Sequence, residues 1–459
     1  MSTSLTKNSQ LTEEYFACMD KLDGDIAGRR AAFDYMKNST AIVHHQVVAC
    51  SYVPRLFDNA SWNAFKDIAE TAHRILVKVI NRYLDDPDYR SVFKFDPRLE
   101  ELILCPRGYD AVLPFARIDT FLDEETLECG FCEFNGDGSA GMNENREITH
   151  SLEQGATYQA FGKKHQLEPC ELFRSWVDEF IKIYDTYQHK RENPRFAICD
   201  YLERGVVDEF HIFCQYFAER GYECVVRDVR DLTWDGERLR DAEGLPVDAI
   251  WRRSVTNDVI DYWDESQGLI EAVRNEGVAL IGSFQGHLVH DKQIFEALYH
   301  PKTQAFLTDE ENAFVAAHVP QTRFLDSSEV NLDDIRTTKD HWIIKPTDAY
   351  GAQDVYAGQS CTQEEWDALI DRFANGAAGA PFLVQTFIAP YRTHTLRPDL
   401  NIEGLTDEQV DREGAWYNNL NGLYVYNGHF QGIFSRLGPH ATISKQNEGM
   451  TAATIHVCE

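Results

Sequence analysis

Arg117, Asp119, Glu133, Asn135 and Asp137 fall in and just after two short runs, residues 116–121 and 127–135, joined by an acidic turn at 123–126. Residues two apart on a strand share a face, so Arg117 and Asp119 point one way, as do Glu133, Asn135 and Asp137. Pairing the runs as a hairpin gathers carboxylates, an amide oxygen and one cation. That is the hard-oxygen set required by Mg²⁺ on a nucleotide, whose phosphates complete the octahedron. Phe115, Phe121, Phe131 and Phe134 crowd these residues and argue for a half-buried cluster rather than a solvated charged face. A rival reading overlaps it: Glu133-x-Asn135-x-Asp137-Gly138, with Glu144 at the twelfth position, has the oxygen spacing of an EF-hand calcium loop. That loop should open on Asp and follow a helix, whereas the residues before Glu133 alternate as a strand.

The second chemical feature is a lysine. Trp342-Ile343-Ile344-Lys345-Pro346 sets it at the end of an apolar strand, with Pro346 keeping it out of helical geometry. The loop after it, residues 347–354, carries Gly351 and the small Ala349 and Ala352, so backbone N–H groups can approach phosphate oxygens. Neither a P-loop nor a Gly-x-Gly-x-x-Gly run is present. Cys129-x-x-Cys132 has no second pair and reads as packing, and the histidine pairs 44/45 and 287/290 lack an acidic partner at defined spacing and read as structural.

Composition narrows the partners. The chain has 459 residues, 43% hydrophobic and 26% charged, which excludes bulk disorder. A net charge of −31 repels polyanions, so nucleic acid is a poor partner, and a small anion needs a local cluster of cations. Eleven scattered cysteines suit a reducing compartment. With no apolar leader and no run long enough to span a membrane, the reading is a cytoplasmic protein.

Periodicity gives the elements that position these residues. The first hundred residues are mainly helical, with a long amphipathic helix over 61–84 and a β-type stretch at 42–52. Another helix is expected at 172–187. A βαβ alternation begins at 194, with strands at 196–199, 223–226 and 249–251 and a helix at 208–220. From 287 two helices are expected, the second opened by the capping box Thr308/Glu311, and another box, Thr362/Glu365, opens a helix between the strands 355–357 and 382–387. The chain closes on a hairpin, 420–425 and 430–436, turning at Asn427-Gly428.

Asp119…Glu133-x-Asn135, then the βαβ unit, then Asp291-Lys292-x-x-Phe295, Ile344-Lys345-Pro346 and Val384-Gln385-x-Phe387 stand in an order that resembles the circularly permuted ATP-grasp ligases. The nearest kind is the synthetase domain of glutathionylspermidine synthase. Ordinary ATP-grasp chains place the acidic metal strands after the two lysines; here they come first. The resemblance covers about residue 41 to the C-terminus and implies an α+β, permuted ATP-grasp fold with a Rossmann-like βαβ substrate domain. It divides the chain into a helical region with the metal-binding hairpin (1–193), the βαβ domain (194–286), the lid and nucleotide-binding subdomains (287–395) and a returning C-terminal hairpin (396–459).

The resemblance also implies roles. Asp119, Glu133 and Asn135 would hold Mg²⁺, and Arg117 and Arg436 would face the reacting phosphoryl and carboxyl oxygens. Lys292 and Lys345 would contact ATP phosphates beneath a loop containing Tyr350 and Gly351, and Gln385 to Phe387 would meet adenine. The expected activity joins a small-molecule carboxylate, an amino acid or peptide, to an amine through an acyl phosphate. A carrier-protein thiol is the alternative acceptor, and a silent ATP-binding or Ca²⁺-binding protein is the alternative without catalysis. A homodimer is compatible with this reading. No amidase domain or polyamine signature is recognisable, so glutathione and spermidine are not implied as substrates.

Overall fold

The long helix shows how local pattern becomes packing. Phe65, Ile68, Ala72, Ile75, Leu76 and Val79 recur at helical spacing and are all buried, and Asp58 caps the N-terminus by accepting from Ser61 N. The result is a 27-residue helix, Asn59–Asp85. The computed structural model describes residues 6–43, 46–349 and 351–458. The His44-His45 pair and Tyr350 lie outside the described residues. No described helix is long and apolar enough to cross a membrane.

The long helix packs on a central antiparallel sheet, sharing a core with Ile118, Leu122, Leu423 and Ile433. This sheet runs Cys129–Asn135, Phe115–Leu122, Ala415–Tyr426, His429–Gly438, Met450–Ala452, and Arg392–Thr395 pairs with Ala415–Tyr426. Two of its strands therefore come from the first third of the chain and four from the C-terminal part. Asn427 and Gly428 turn the C-terminal hairpin with φ of 45° and 90°, the left-handed pair that a two-residue hairpin turn requires.

The βαβ unit forms a second, wholly parallel sheet ordered Ala279–Ile281, Ala249–Arg252, Arg195–Asp200, Glu223–Asp228, with the helix Val207–Glu219 as one crossover. A third, antiparallel sheet is ordered Thr322–Phe324, Phe382–Thr386, Trp342–Pro346, Tyr356–Ala357. Both expected capping boxes open helices, Asp309–His318 and Gln363–Phe373. A small sheet ties the C-terminal strand Thr454–Cys458 between Arg55–Phe57 and Gln166–Pro169. The molecule is thus a mixed α+β protein of several sheets.

Two expectations need correction. The stretch 42–52 forms only the two-residue strands Ile42–Val43 and Gln46–Val47. After residue 287 the expected first helix is broken into His287–His290, Gln293–Ala297 and Pro301–Gln304, because Asp291 is extended (φ −65°, ψ 130°) and Pro301 can only start a helix.

Candidate functional site

The acidic hairpin pairs Arg117 with Asn135 and Asp119 with Glu133. Cross-strand partners share a face, so all four side chains stand on one side of the sheet. Beyond this pair the register slips: Thr120 faces Phe131, and Cys132 is the extra residue of a β-bulge. Strict alternation would have placed Phe131 beside Glu133. The bulge instead returns Phe131 to the core, where its ring lies 5.0 Å from that of Phe134. Phe131 and Phe121 still border the cavity beside the polar cluster, as expected, whereas Phe134 is turned into the core. Cys129 is buried in the same core, in keeping with packing rather than metal binding.

Asp119, fully buried, accepts from Arg117 at both oxygens (Nε 2.8 Å, Nη2 3.2 Å) and from Arg436 Nη2. Arg117 Nη1 also donates to the Ala140 carbonyl at 2.8 Å. Arg436 lies on the neighbouring C-terminal hairpin, opposite Leu420, and its buried Nε has no hydrogen-bond partner among the described residues. Between the two arginine-bearing strands runs Gly422, directly opposite Asp119. A Cβ there would stand 2.8 Å from both Arg117 Cδ and Asp119 Oδ1, so the absence of a side chain makes room for the pair. Gly422→Val is expected to displace Arg117 and Asp119 and lower turnover at least tenfold, with a smaller proportional effect on melting temperature. Turnover and a melting curve on the purified variant check this; unchanged turnover removes the need for that gap.

The two lysines close the other side. Lys292 comes directly after the break at Asp291, donates its backbone N–H to Thr347 O at 2.7 Å, and sends Nζ to Glu133 Oε1 at 2.7 Å and Ala349 O at 2.8 Å. Burial pushes the Glu133 carboxyl up, but Lys292 outweighs it and holds the group down at about 2. Lys345, at the end of Trp342–Pro346, is 4% exposed and donates to the Cys132 carbonyl at 3.3 Å, the carbonyl that the bulge presents. No described carboxylate pairs with it within 4.0 Å, and burial pushes its ammonium pKa down.

These residues line one cavity of about 290 Å³ between the central sheet and the third sheet. Arg117, Asp119, Glu133, Asn135, Lys292, Lys345, Gly351, Gln385, Phe387 and Arg436 all border it. Ile343, Val355 and Ile388 supply apolar wall near Gln385 and Phe387. The Gln385 side chain is held inside the third sheet by its bond to Thr322 Oγ1 (2.7 Å), and the Phe387 N–H is donated to His341 O (2.8 Å). Gly351 has φ of 67° with open space around its Cβ position.

Sequence reasoning missed the far wall. Asp200, Arg204, Arg253 and Asp258 border the cavity at or just beyond the carboxyl ends of the parallel strands Arg195–Asp200 and Ala249–Arg252. The available signal was the rule that open parallel sheets bind ligands at those ends. Arg253 is 4% exposed, pairs with Glu209 at 3.1 Å through Nη2, and among the described residues leaves Nε and Nη1 without hydrogen-bond partners. Burial lifts the Asp200 carboxyl to about 7 despite Arg253 nearby.

The calcium-loop alternative does not fit this arrangement. A strand, not a helix, precedes Glu133, and the Asp137 carboxylate is occupied by Arg252 at 2.7 Å and by the Thr256 N–H at 2.8 Å. Glu144 is on the helix Met142–Leu152 and accepts from Thr451.

The sequence matches no family model and no curated protein. Among solved structures the chain is similar to a glutathione synthetase-like effector from Globodera pallida in its apo form. The TM-score is 0.60 at 9% identity, over 95% of this chain and 97% of that one. A structure described as a candidate gamma-glutamylcysteine synthetase from Methylobacillus flagellatus gives a TM-score of 0.42 at 11% identity, over 82% and 87% of the two chains, too low to carry weight. The first likeness shows the fold: over nearly its whole length this chain has the architecture of a glutathione synthetase-like protein.

Proposed function

We propose that the chain is an ATP-dependent carboxylate–amine ligase with a circularly permuted ATP-grasp core. One observation carries this reading. At the hairpin end of the cavity Arg117, Arg436, Lys292 and Lys345 meet Asp119, Glu133 and Asp137, the last already paired with Arg252, in a chain whose net charge is −31. A local reversal of charge inside a strongly acidic molecule is what a triphosphate requires. The fold shared with a glutathione synthetase-like protein supports it.

The residues present fit Mg²⁺. Asp119, Glu133 and Asn135 stand on one sheet face; Asp119 is already bonded to Arg117 and Arg436 and Glu133 to Lys292, so each carboxylate would bridge its cation and the ion, and the amide of Asn135 is oriented by its Nδ2 bond to Arg117 O at 3.1 Å, which leaves the amide oxygen for a cation. When bound, the ion neutralises charge on the nucleotide's phosphates. Lys292 and Lys345 bind the phosphates, and Arg117 and Arg436 stabilise charge on the transferring phosphoryl group, which is where preorganised donors contribute most. The base lies in the apolar slot by Ile343, Gln385 and Phe387. The loop carrying Gly351 covers the site and excludes water that would hydrolyse an acyl phosphate.

The far wall suits the second substrate. Arg253, whose Nε and Nη1 have no partner among the described residues, takes a carboxylate, and Asp200 takes an ammonium group, Asp258 being paired with Arg204. The Asp200 carboxylate on this wall offers a charge partner to an amine acceptor, whereas a carrier-protein thiol carries no charge to meet. In this reading the domain boundaries are 1–193, 194–286, 287–395 and 396–459, and the eleven cysteines, all free, suit a reducing cytoplasm.

Phosphate release from MgATP, screened over amino acids, short peptides and amines, tests the proposal. Release that needs both a carboxylate and an amine, with amide product, is expected; ATP turnover independent of any carboxylate overturns it. The Asp200 carboxyl adds a pH signature. Raised to about 7, it is neutral below that pH and anionic above, so amine binding improves as pH rises. We expect kcat/KM for the amine to climb between pH 6 and 8 and to flatten in Asp200→Asn; an unchanged limb in the variant assigns the titration elsewhere.

A further inference from the structure

His287 and His290 have one acidic neighbour in sequence, Asp291, and the fold brings two more. Asp291 adjoins them at the break in the helix, Asp137 comes from the end of the acidic hairpin, and Asp348 from the loop after Lys345. His287 is 0% exposed and His290 4%. Among the described residues none of their four ring nitrogens has a hydrogen-bond partner, and neither does Asp348 Oδ2. Buried polar atoms left in this state mark a place where a ligand supplies the missing bonds.

The spacing leaves room for an ion between these groups. His287 Nε2 stands 3.5 Å from Asp348 Oδ2, and His290 Nε2 stands 3.9 Å from Asp348 Oδ1. Donor atoms of His287, Asp291 and Asp348 all lie within 4.8 Å of one another. A direct imidazole–carboxylate hydrogen bond would be shorter, about 2.7–2.9 Å. Two ligands of one tetrahedral ion, each about 2.0–2.1 Å from the metal, stand roughly 3.3–3.4 Å apart. On the other side of the ring, His287 Nδ1 faces Asp137 Oδ2 at 3.9 Å, and Asp137 is itself held by Arg252 and Thr256.

We propose that His287, Asp291 and Asp348, with His290 beside them, bind one divalent transition-metal ion of the Zn²⁺ class. Mixed imidazole and carboxylate donors select such ions over Mg²⁺, and two carboxylates with neutral imidazoles balance a double charge. The site uses none of the residues assigned to Mg²⁺ above, and its existence does not rest on the ligase reading. Its consequence is mechanical. Lys292 directly follows Asp291, and Asp348 comes three residues after Lys345, so one ion clamps together the two segments that carry the cavity's lysines. The bond from Lys292 N to Thr347 O already joins the same two segments.

Equilibrium dialysis of the chelator-treated full chain against Zn²⁺ alone, with bound metal measured after desalting, tests the site. Co²⁺ in place of Zn²⁺ gives a visible absorption band as a second readout. One ion per chain is expected for the unaltered protein, with at least about 100-fold weaker binding in His287→Gln and in Asp348→Asn, and unchanged binding in Glu133→Gln. Asp348 is partly exposed, so its variant keeps the test valid if replacing buried His287 prevents folding. No retained ion in the unaltered chain overturns the proposal, as does equal retention in a folded His287→Gln or Asp348→Asn variant. Loss in Glu133→Gln with retention in His287→Gln also overturns it, by placing the ion on the oxygen cluster of the hairpin.

Discussion

Lys345→Met is expected to raise the melting temperature of the ligand-free protein while weakening MgATP binding by more than about 100-fold. Both effects have one cause. Lys345 is 4% exposed, is bonded to a single carbonyl, and has no described carboxylate within ion-pair distance. An ammonium buried without a counter-charge destabilises the empty protein, and burial lowers its pKa. For a base with a lowered folded pKa the penalty is full below the folded pKa and disappears as pH rises through the ordinary 10.5. Methionine keeps most of the apolar stem and removes the charge. A gain of about 1–2 kcal/mol would shift the melting temperature of a chain this long by about 1–2 °C, because the entropy of unfolding grows with length. A structural lysine gives the opposite sign, since its removal would cost stability. Melting curves with and without MgATP, together with nucleotide titration, decide the matter: a lower melting temperature with unchanged nucleotide affinity would falsify the assignment of Lys345 to phosphate.

Glu133→Gln is expected to reduce Mg-dependent turnover by at least about 10³-fold. The carboxylate contributes a negative charge to the cation cluster and pairs with Lys292 at 2.7 Å. Glutamine preserves shape and leaves an oxygen, but removes the charge that a divalent ion needs. Breaking the pair also strands the Lys292 ammonium, so a fall in stability accompanies the loss of activity. Lys292→Met separates these contributions. If Glu133 serves only as a structural partner of Lys292, the double variant Lys292→Met/Glu133→Gln recovers stability, and a survey of turnover against Mg²⁺ concentration shows no change in metal dependence in Glu133→Gln. If it holds the ion, the Mg²⁺ requirement rises by orders of magnitude. The pH dependence has a defined sign. A carboxyl held at about 2 against an ordinary 4.5 contributes stability that is full above about pH 4.5 and is lost as pH falls toward 2. Glu133→Gln should therefore narrow the gap between stability at pH 6 and at pH 3, measured by denaturant unfolding.

Period and capping are the features that this chain determined locally. The two-residue repeat of a strand put Arg117 with Asp119, and Glu133 with Asn135, on common faces before any partner strand was known, because side-chain alternation belongs to the single strand. Thr308 with Glu311 and Thr362 with Glu365 announced their helices because a capping box closes within four residues. Asn427-Gly428 announced its hairpin because both residues tolerate positive φ.

The tertiary structure decided everything that depends on a second strand. The bulge at Cys132, which turns Phe131 into the core and offers a carbonyl to Lys345, arises from register against Phe115–Leu122. Gly422 acquires its meaning only when pairing between strands from opposite ends of the chain sets it against Asp119. Asp200 and Arg253 become cavity residues because parallel pairing brings two strand ends side by side. His287 and His290, structural by spacing alone, gain Asp137 and Asp348 from segments far along the chain. Local dihedral preference and side-chain period act over a few residues, so they can be read from the sequence. Which distant strands pair, and in which register, is chosen by burial summed over the whole molecule, and that sum exists only in the folded chain.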